Sequence, residues 1–175
     1  MDSHCGRFHR DLIAYPLAYL YNYPIHQKPL ITVFHNTQKK IYSTDLGIDL
    51  KSGRDEELFK WFLACLLFGK PIQQEVARRT YLKFEKAGLL TPDKILEAGW
   101  DELVRVLNQG HYVRYDFSTA TKLLDVCRML KEKYGTLTTL INQSSNRKDL
   151  EKRLLEFKGI GPKTVEIFIR DLKRP

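Results

Sequence analysis

A glycine-rich turn near the C-terminus places the tightest constraint on the fold of this chain. Residues 154–165 read Leu-Leu-Glu-Phe-Lys-Gly-Ile-Gly-Pro-Lys-Thr-Val, in which Gly159 and Gly161 flank one apolar residue. Because glycine adopts positive φ angles without a steric penalty, this spacing predicts a tight turn between two helices, with Ile160 filling the gap between them. Pro162 suits the first position of the second helix, where a missing N–H costs nothing.

The same turn predicts an anion site. The first amides of a helix have no partner within the helix, so the N–H groups of Gly161, Lys163 and Thr164 are expected to point outward. Outward amides at a helix N-terminus attract phosphate. The sequence Gly-Ile-Gly-Pro-Lys-Thr between two amphipathic segments is a helix-hairpin-helix signature. The alternative interpretation is an ordinary tight corner between helices, with Lys163 simply solvated.

The rest of the chain after residue 53 reads as a series of helices, so the predicted fold class is mainly α. Apolar residues recur at helical spacing, and N-cap residues, prolines and glycines punctuate them. The first helix is expected to follow an N-cap at Ser52 and to end at Gly69. Further helices are predicted at 73–86, from Thr91, at 100–108, 118–134 and 137–141, and in the hairpin at 147–157 and 162–172.

Residues 1–53 have a different character and are predicted to form a separate N-terminal layer before a helical domain at 54–175. This segment holds four of the five histidines, at positions 4, 9, 26 and 35. The run at 30–34 is β-type, and residues 39–42 could return as its hairpin partner.

Charge and cysteine content narrow the class of protein. The net charge is +8 and the pI about 9.4, and residues 147–175 carry nine basic against five acidic residues. This basic bias favours a polyanionic partner, although a solvated basic surface would have the same composition.

The three cysteines show no paired spacing, which argues against a cysteine-ligated metal. The chain shows neither an apolar run of about 20 residues nor a secretory leader, so a soluble, cytoplasmic protein is expected.

The order of short helices ending in Gly-Ile-Gly-Pro-Lys-Thr resembles the endonuclease III, or HhH-GPD, superfamily of DNA glycosylases over residues 54–172. The resemblance implies a multi-helix HhH-GPD-like domain, base-excision repair of damaged or abasic duplex DNA, and a nucleoid-associated location. It also implies that Lys163 matches the Schiff-base lysine of the abasic-site (AP) lyases. A monovalent cation held by the backbone carbonyls of Gly159 and Gly161 is a further implication.

Three features depart from that family. The segment that carries its essential aspartate has no counterpart, and Asp171 falls inside the second hairpin helix. The four-cysteine iron–sulfur motif is absent, so no cluster is expected. Residues 69–72 do not reproduce the glutamine-bearing loop of the family.

The sequence therefore predicts a DNA-binding protein of the glycosylase superfamily, with either a repair activity through Lys163 or a non-catalytic hairpin module. A protein–protein adaptor is the third alternative. His111 follows Gly110 at a helix junction, where a turn role is favoured over a DNA-facing one. The residues expected to contact DNA are Lys158, Gly159, Ile160, Gly161, Pro162, Lys163, Thr164, Arg170, Lys173 and Arg174.

Overall fold

The computed structural model describes residues 40–172, which are mainly helical and contain no strand. The prediction of a mainly α fold is therefore confirmed for this part of the chain. Two short 3₁₀ turns, Ser43–Leu46 and Leu50–Ser52, precede seven α-helices. These are α1 Asp55–Phe68, α2 Gln74–Lys86, α3 Pro92–Gln109, α4 Asp116–Lys133, α5 Leu137–Asn142, α6 Arg147–Leu155 and α7 Pro162–Asp171.

Helix α1 is the centre of the core. It is buried on nearly all sides and packs against α2, α5 and α7, as expected for a helix that is apolar around its circumference. Trp61 is fully buried, and its indole Nε1 donates a hydrogen bond to the carbonyl oxygen of Phe168 at 3.1 Å. This bond ties the centre of α1 to the second helix of the hairpin.

The helix boundaries follow local signals with two differences. Ser52 ends a 3₁₀ turn, and Arg54 is the N-cap of α1, so the predicted cap at Ser52 is wrong by two residues. The helices expected from Thr91 and from residue 100 form one element, α3, which kinks at Gly99 with φ of 73°. Thr91 caps α3 as predicted, since its Oγ1 accepts the amide of Lys94 at 3.3 Å.

Most of the predicted N-terminal layer, including the run at 30–34, lies outside the described residues. Residues 40–42, which were expected to pair with residues 30–34 in a hairpin, have no regular secondary structure. Residues 41–52 pack against the helices: Ile48 is buried, and the amide of Ser43 donates to Asp171 Oδ2 at 2.7 Å. The domain boundary at residue 53 stays a prediction.

None of the helices between residues 40 and 172 combines the length and apolar composition that crossing a bilayer requires.

Glu57 joins the 3₁₀ turns to α1 through a buried carboxylate. Its Oε2 accepts the amide of Asp49 at 2.8 Å, and its Oε1 accepts Lys60 Nζ at 2.6 Å. Burial alone would raise the pKa of Glu57, but the bonds from Lys60 and Asp49 outweigh it and the pKa is lowered. This stabilisation is present above the ordinary carboxyl pKa of about 4.3 and is lost as the pH falls through the lower folded-state pKa.

We expect Glu57→Gln to lower the free energy of unfolding by about 1–3 kcal/mol near neutral pH, because a charge-assisted bond is lost in a buried position. The difference from wild type should shrink in acid, as measured by urea denaturation at several pH values. Glu56→Gln, at the exposed neighbouring position, is the matched control and should stay within about 0.5 kcal/mol of wild type. Equal effects of the two substitutions would contradict the assignment.

Candidate nucleic-acid interface

The turn between α6 and α7 has the predicted geometry. Gly159 has φ of 87°, in the left-handed region where side chains other than glycine are strained. The amide of Ile160 donates to the carbonyl oxygen of Phe157 at 3.0 Å, and the side chain of Ile160 is buried between the helices. Gly161 is extended and serves as the N-cap of α7, with Pro162 in the first helical turn.

The first amides of α7 have no hydrogen-bond acceptor in the described part of the chain. Gly161 has no side chain to cap α7, so the first helical amides lack the usual side-chain acceptor. The N–H groups of Gly161, Lys163 and Thr164 find no acceptor among residues 40–172. The first internal bond of α7 is donated by Val165 to the carbonyl oxygen of Gly161 at 3.2 Å. The α6–α7 turn therefore presents a group of N–H donors at the positive end of a helix dipole.

The side chain of Thr164 faces inward, toward the end of α1. It is buried, and its Oγ1 lies 2.1 Å from the position that a Cβ on Gly69 would occupy. Only a glycine at position 69 lets α1 and α7 approach this closely. Thr164 can thus offer its backbone amide to a phosphate, while its side chain fixes the hairpin against α1.

Lys163 lies on the exposed side of α7. Its side chain is 62% exposed, and its Nζ forms an ion pair with Glu166 Oε2 at 3.0 Å. The hydrogen bond from Lys163 lowers the pKa of the Glu166 carboxyl. The partial burial that would activate Lys163 as a nucleophile is not found in this arrangement, and its catalytic role stays a prediction.

Arg170 and Asp171 lie at the opposite end of α7 and are engaged with the segment before α1. The guanidinium of Arg170 donates to the carbonyl oxygen of Ile41 and to Asp171 Oδ1, and its Cζ lies 4.4 Å from the ring centroid of Tyr42. The side chain of Asp171 is 4% exposed, with its other oxygen bound to the amide of Ser43. These contacts account for both side chains structurally, although Arg170 also lines a small cavity together with Lys163.

The remaining predicted contacts differ in position. Lys158, Gly159 and Pro162 are exposed, whereas Lys173 and Arg174 lie outside the described residues. The side chain of Ile160 is buried, so its role in binding could only be through the backbone. A monovalent cation on the carbonyls of Gly159 and Gly161 stays a prediction, and the positive charge of the nearby Lys122 opposes it.

Lys122 and Lys70 are the residues that sequence reasoning missed. The Cε of Lys122 lies 2.6 Å from where a Cβ on Gly159 would be, so the lysine occupies space left by the missing side chain. Burial, followed by the charge of Lys70, lowers the pKa of Lys122 to about 8. Lys70 follows α1 directly after Gly69 and lies over the ring of Tyr115, with its Nζ 5.4 Å from the centroid. No sequence pattern marks either lysine.

His111, Cys65 and Cys127 have structural roles. His111 adopts φ of 63°, a left-handed turn conformation after α3, in agreement with the favoured turn role. Cys65 and Cys127 are buried, and burial raises the pKa of both thiols, to about 12 for Cys127. Among residues 40–172, no group of three or more histidine, cysteine or acidic side chains could hold a metal ion.

Comparison of the chain with protein-family models, curated proteins and solved structures found no match. The resemblance to the glycosylase superfamily thus rests on the hairpin residues and the order of helices alone.

Proposed function

We propose that this protein binds duplex DNA through the α6–α7 turn, as a helix-hairpin-helix protein with an HhH-GPD-like helical domain. The observation that carries the proposal is the cluster of amides at Gly161, Lys163 and Thr164 that have no acceptor among residues 40–172, beside exposed Lys158 and Lys163. Backbone amides and lysines of this kind contact phosphates without reading base sequence. The net charge of +8 supports a polyanionic partner.

Between the two versions of this function, binding without catalysis has the better support. A Schiff-base lysine is activated in a pocket sheltered from water, whereas Lys163 is solvent-exposed and paired with Glu166. Asp171 is held by Ser43 and Arg170 at the far end of α7 and is not placed to assist it. Borohydride trapping on abasic duplex DNA tests this choice: a covalent adduct that Lys163→Ala abolishes would establish the lyase instead.

The role of the amides can be tested separately from the stability of the fold. Gly161 has φ of −104°, and a Cβ built there meets nothing within 4 Å, so Gly161→Ala is expected to fold like wild type. The added methyl group occupies open space beside the turn amides and hinders the approach of a phosphate. We expect the dissociation constant for duplex DNA to rise about 10-fold, roughly the loss of one charge-assisted hydrogen bond.

Fluorescence anisotropy over a series of salt concentrations measures both the affinity and the number of phosphate contacts. The wild-type affinity should fall steeply as salt increases, because bound phosphates release counterions. An affinity that is independent of salt, or a Gly161→Ala variant that binds as tightly as wild type, would contradict the proposed interface.

A further inference from the structure

Lys70 and Lys122 form a pair of like charges without a counter-ion. Neither lysine has a carboxylate within 4.0 Å in the described part of the chain, whereas Lys60, Lys131 and Lys133 all form ion pairs there. Unpaired lysines are ordinary on a protein surface, but Lys122 is half-buried, and its side chain lies against Gly159. The charge of Lys70 lies close enough to Lys122 to lower the pKa of the Lys122 amine, after the larger effect of burial.

Among residues 40–172, no carboxylate compensates the charge of Lys122. On α4 itself, Asp125 is committed to Arg128 at 3.1 Å. The neighbours of Lys122 from other elements are Lys70, between α1 and α2, and Gly159 in the hairpin. Neither residue carries a negative charge, and Gly159 follows the basic Lys158. Partial burial of an ammonium group beside a second one costs free energy unless an anion joins them.

We propose that Lys70 and Lys122 together bind one phosphate group beside Gly159, on the side of the turn that faces α4. A phosphate has enough negative charge and acceptor oxygens to satisfy two ammonium groups at once. The positive φ of Gly159 already favours glycine, and the missing Cβ leaves room for the Lys122 side chain beside the turn. That the phosphate belongs to a DNA backbone rests on the proposed function, whereas the affinity of the pair for phosphate does not.

Inorganic phosphate is the first probe, because it tests the pair without DNA. We expect titration of the full chain near neutral pH to shift the side-chain NMR signals of Lys70 and Lys122 saturably. Lys122→Met should abolish the saturable shift of Lys70, and Lys86→Met, at the end of α2 beside Arg105, should leave it intact. Signals of both lysines that do not respond to phosphate overturn the proposal.

Duplex DNA is the second probe and identifies the source of the phosphate. We expect Lys122→Met to weaken binding several-fold and to reduce the salt slope by about one, as the loss of one phosphate contact does. Lys122→Arg should retain affinity. Circular dichroism checks that each variant is folded. If Lys122→Met and Lys86→Met bind duplex DNA with equal affinity, the proposed contact between Lys122 and a DNA phosphate is wrong.

The pH dependence gives a readout that a purely structural role would not produce. Wild-type affinity for DNA should fall between about pH 7 and pH 9, because Lys122 loses its proton near pH 8. Lys122→Arg keeps its charge throughout and should bind equally at both pH values. A pair that binds phosphate while the protein fails to bind duplex DNA would uphold the site and reject the proposed function.

Discussion

Phe62→Ala is expected to lower the free energy of unfolding by about 3–5 kcal/mol, the cost of removing a large aromatic side chain from a packed core. Phe62 is buried on α1, and its ring centroid lies 5.1 Å from that of Phe168 and 6.3 Å from that of Phe157. Both contacts are edge-to-face, an arrangement favoured by aromatic pairs. One side chain of α1 therefore contacts α7 and the α6–α7 turn.

Urea denaturation measures this loss, and duplex binding at a temperature where the variant is still folded measures its consequence for the hairpin. Phe62→Leu fills part of the same volume and should lose less stability than the alanine variant. A loss below about 1 kcal/mol for Phe62→Ala, which is ordinary for a surface position, would mean that the hairpin does not depend on this cluster.

Gly110→Ala is the second substitution with a large expected effect. A Cβ at position 110 would lie 2.1 Å from Thr80 Oγ1 and 2.6 Å from Thr80 Cα, so the backbone of α2 would have to move. Thr80 is fully buried, its Oγ1 donates to the carbonyl oxygen of Val76 at 2.7 Å, and Arg79 Nε donates to the carbonyl oxygen of Gly110 at 3.1 Å. We expect a loss of at least about 1–3 kcal/mol, as for overpacking of a core.

A double-mutant cycle with Thr80→Ala separates this clash from other effects of alanine. Removing Oγ1 relieves the nearest contact but leaves the one with Cα, so the double variant should recover part of the stability lost in Gly110→Ala. Gly161→Ala serves as the control, since its Cβ meets open space. Equal thermal stability of Gly110→Ala and Gly161→Ala would show that α2 and the end of α3 are not in close contact.

The placement of the α6–α7 turn follows from contacts made over long sequence distances. Thr164 packs against Gly69, Trp61 donates to the carbonyl oxygen of Phe168, and Phe62 contacts both sides of the turn. These contacts hold the backbone of the turn while its amides remain available. A rigid platform of this kind lowers the cost of ordering a binding site when the ligand arrives.

The local features of this protein follow from short stretches of its sequence. The helical class, the cap at Thr91 and the buried position of Ile160 were all predicted. Each depends on residues within a few positions of one another, because caps, prolines and positive φ angles act through neighbouring backbone groups. The end of α1 was placed at Gly69 for the same reason.

The charged side chains that can serve the candidate interface are set by long-range packing, which short sequence patterns do not contain. The sequence predicts a DNA contact for both Arg170 and Lys163, yet Arg170 is bound to Ile41 and Asp171, whereas Lys163 remains exposed on α7. Lys122 lies 37 positions before Gly159 and has no local signal, but packing of α4 against the turn brings the two together. The physical reason is that burial and charge pairing depend on which helix surfaces pack against each other. Local sequence patterns do not specify that packing.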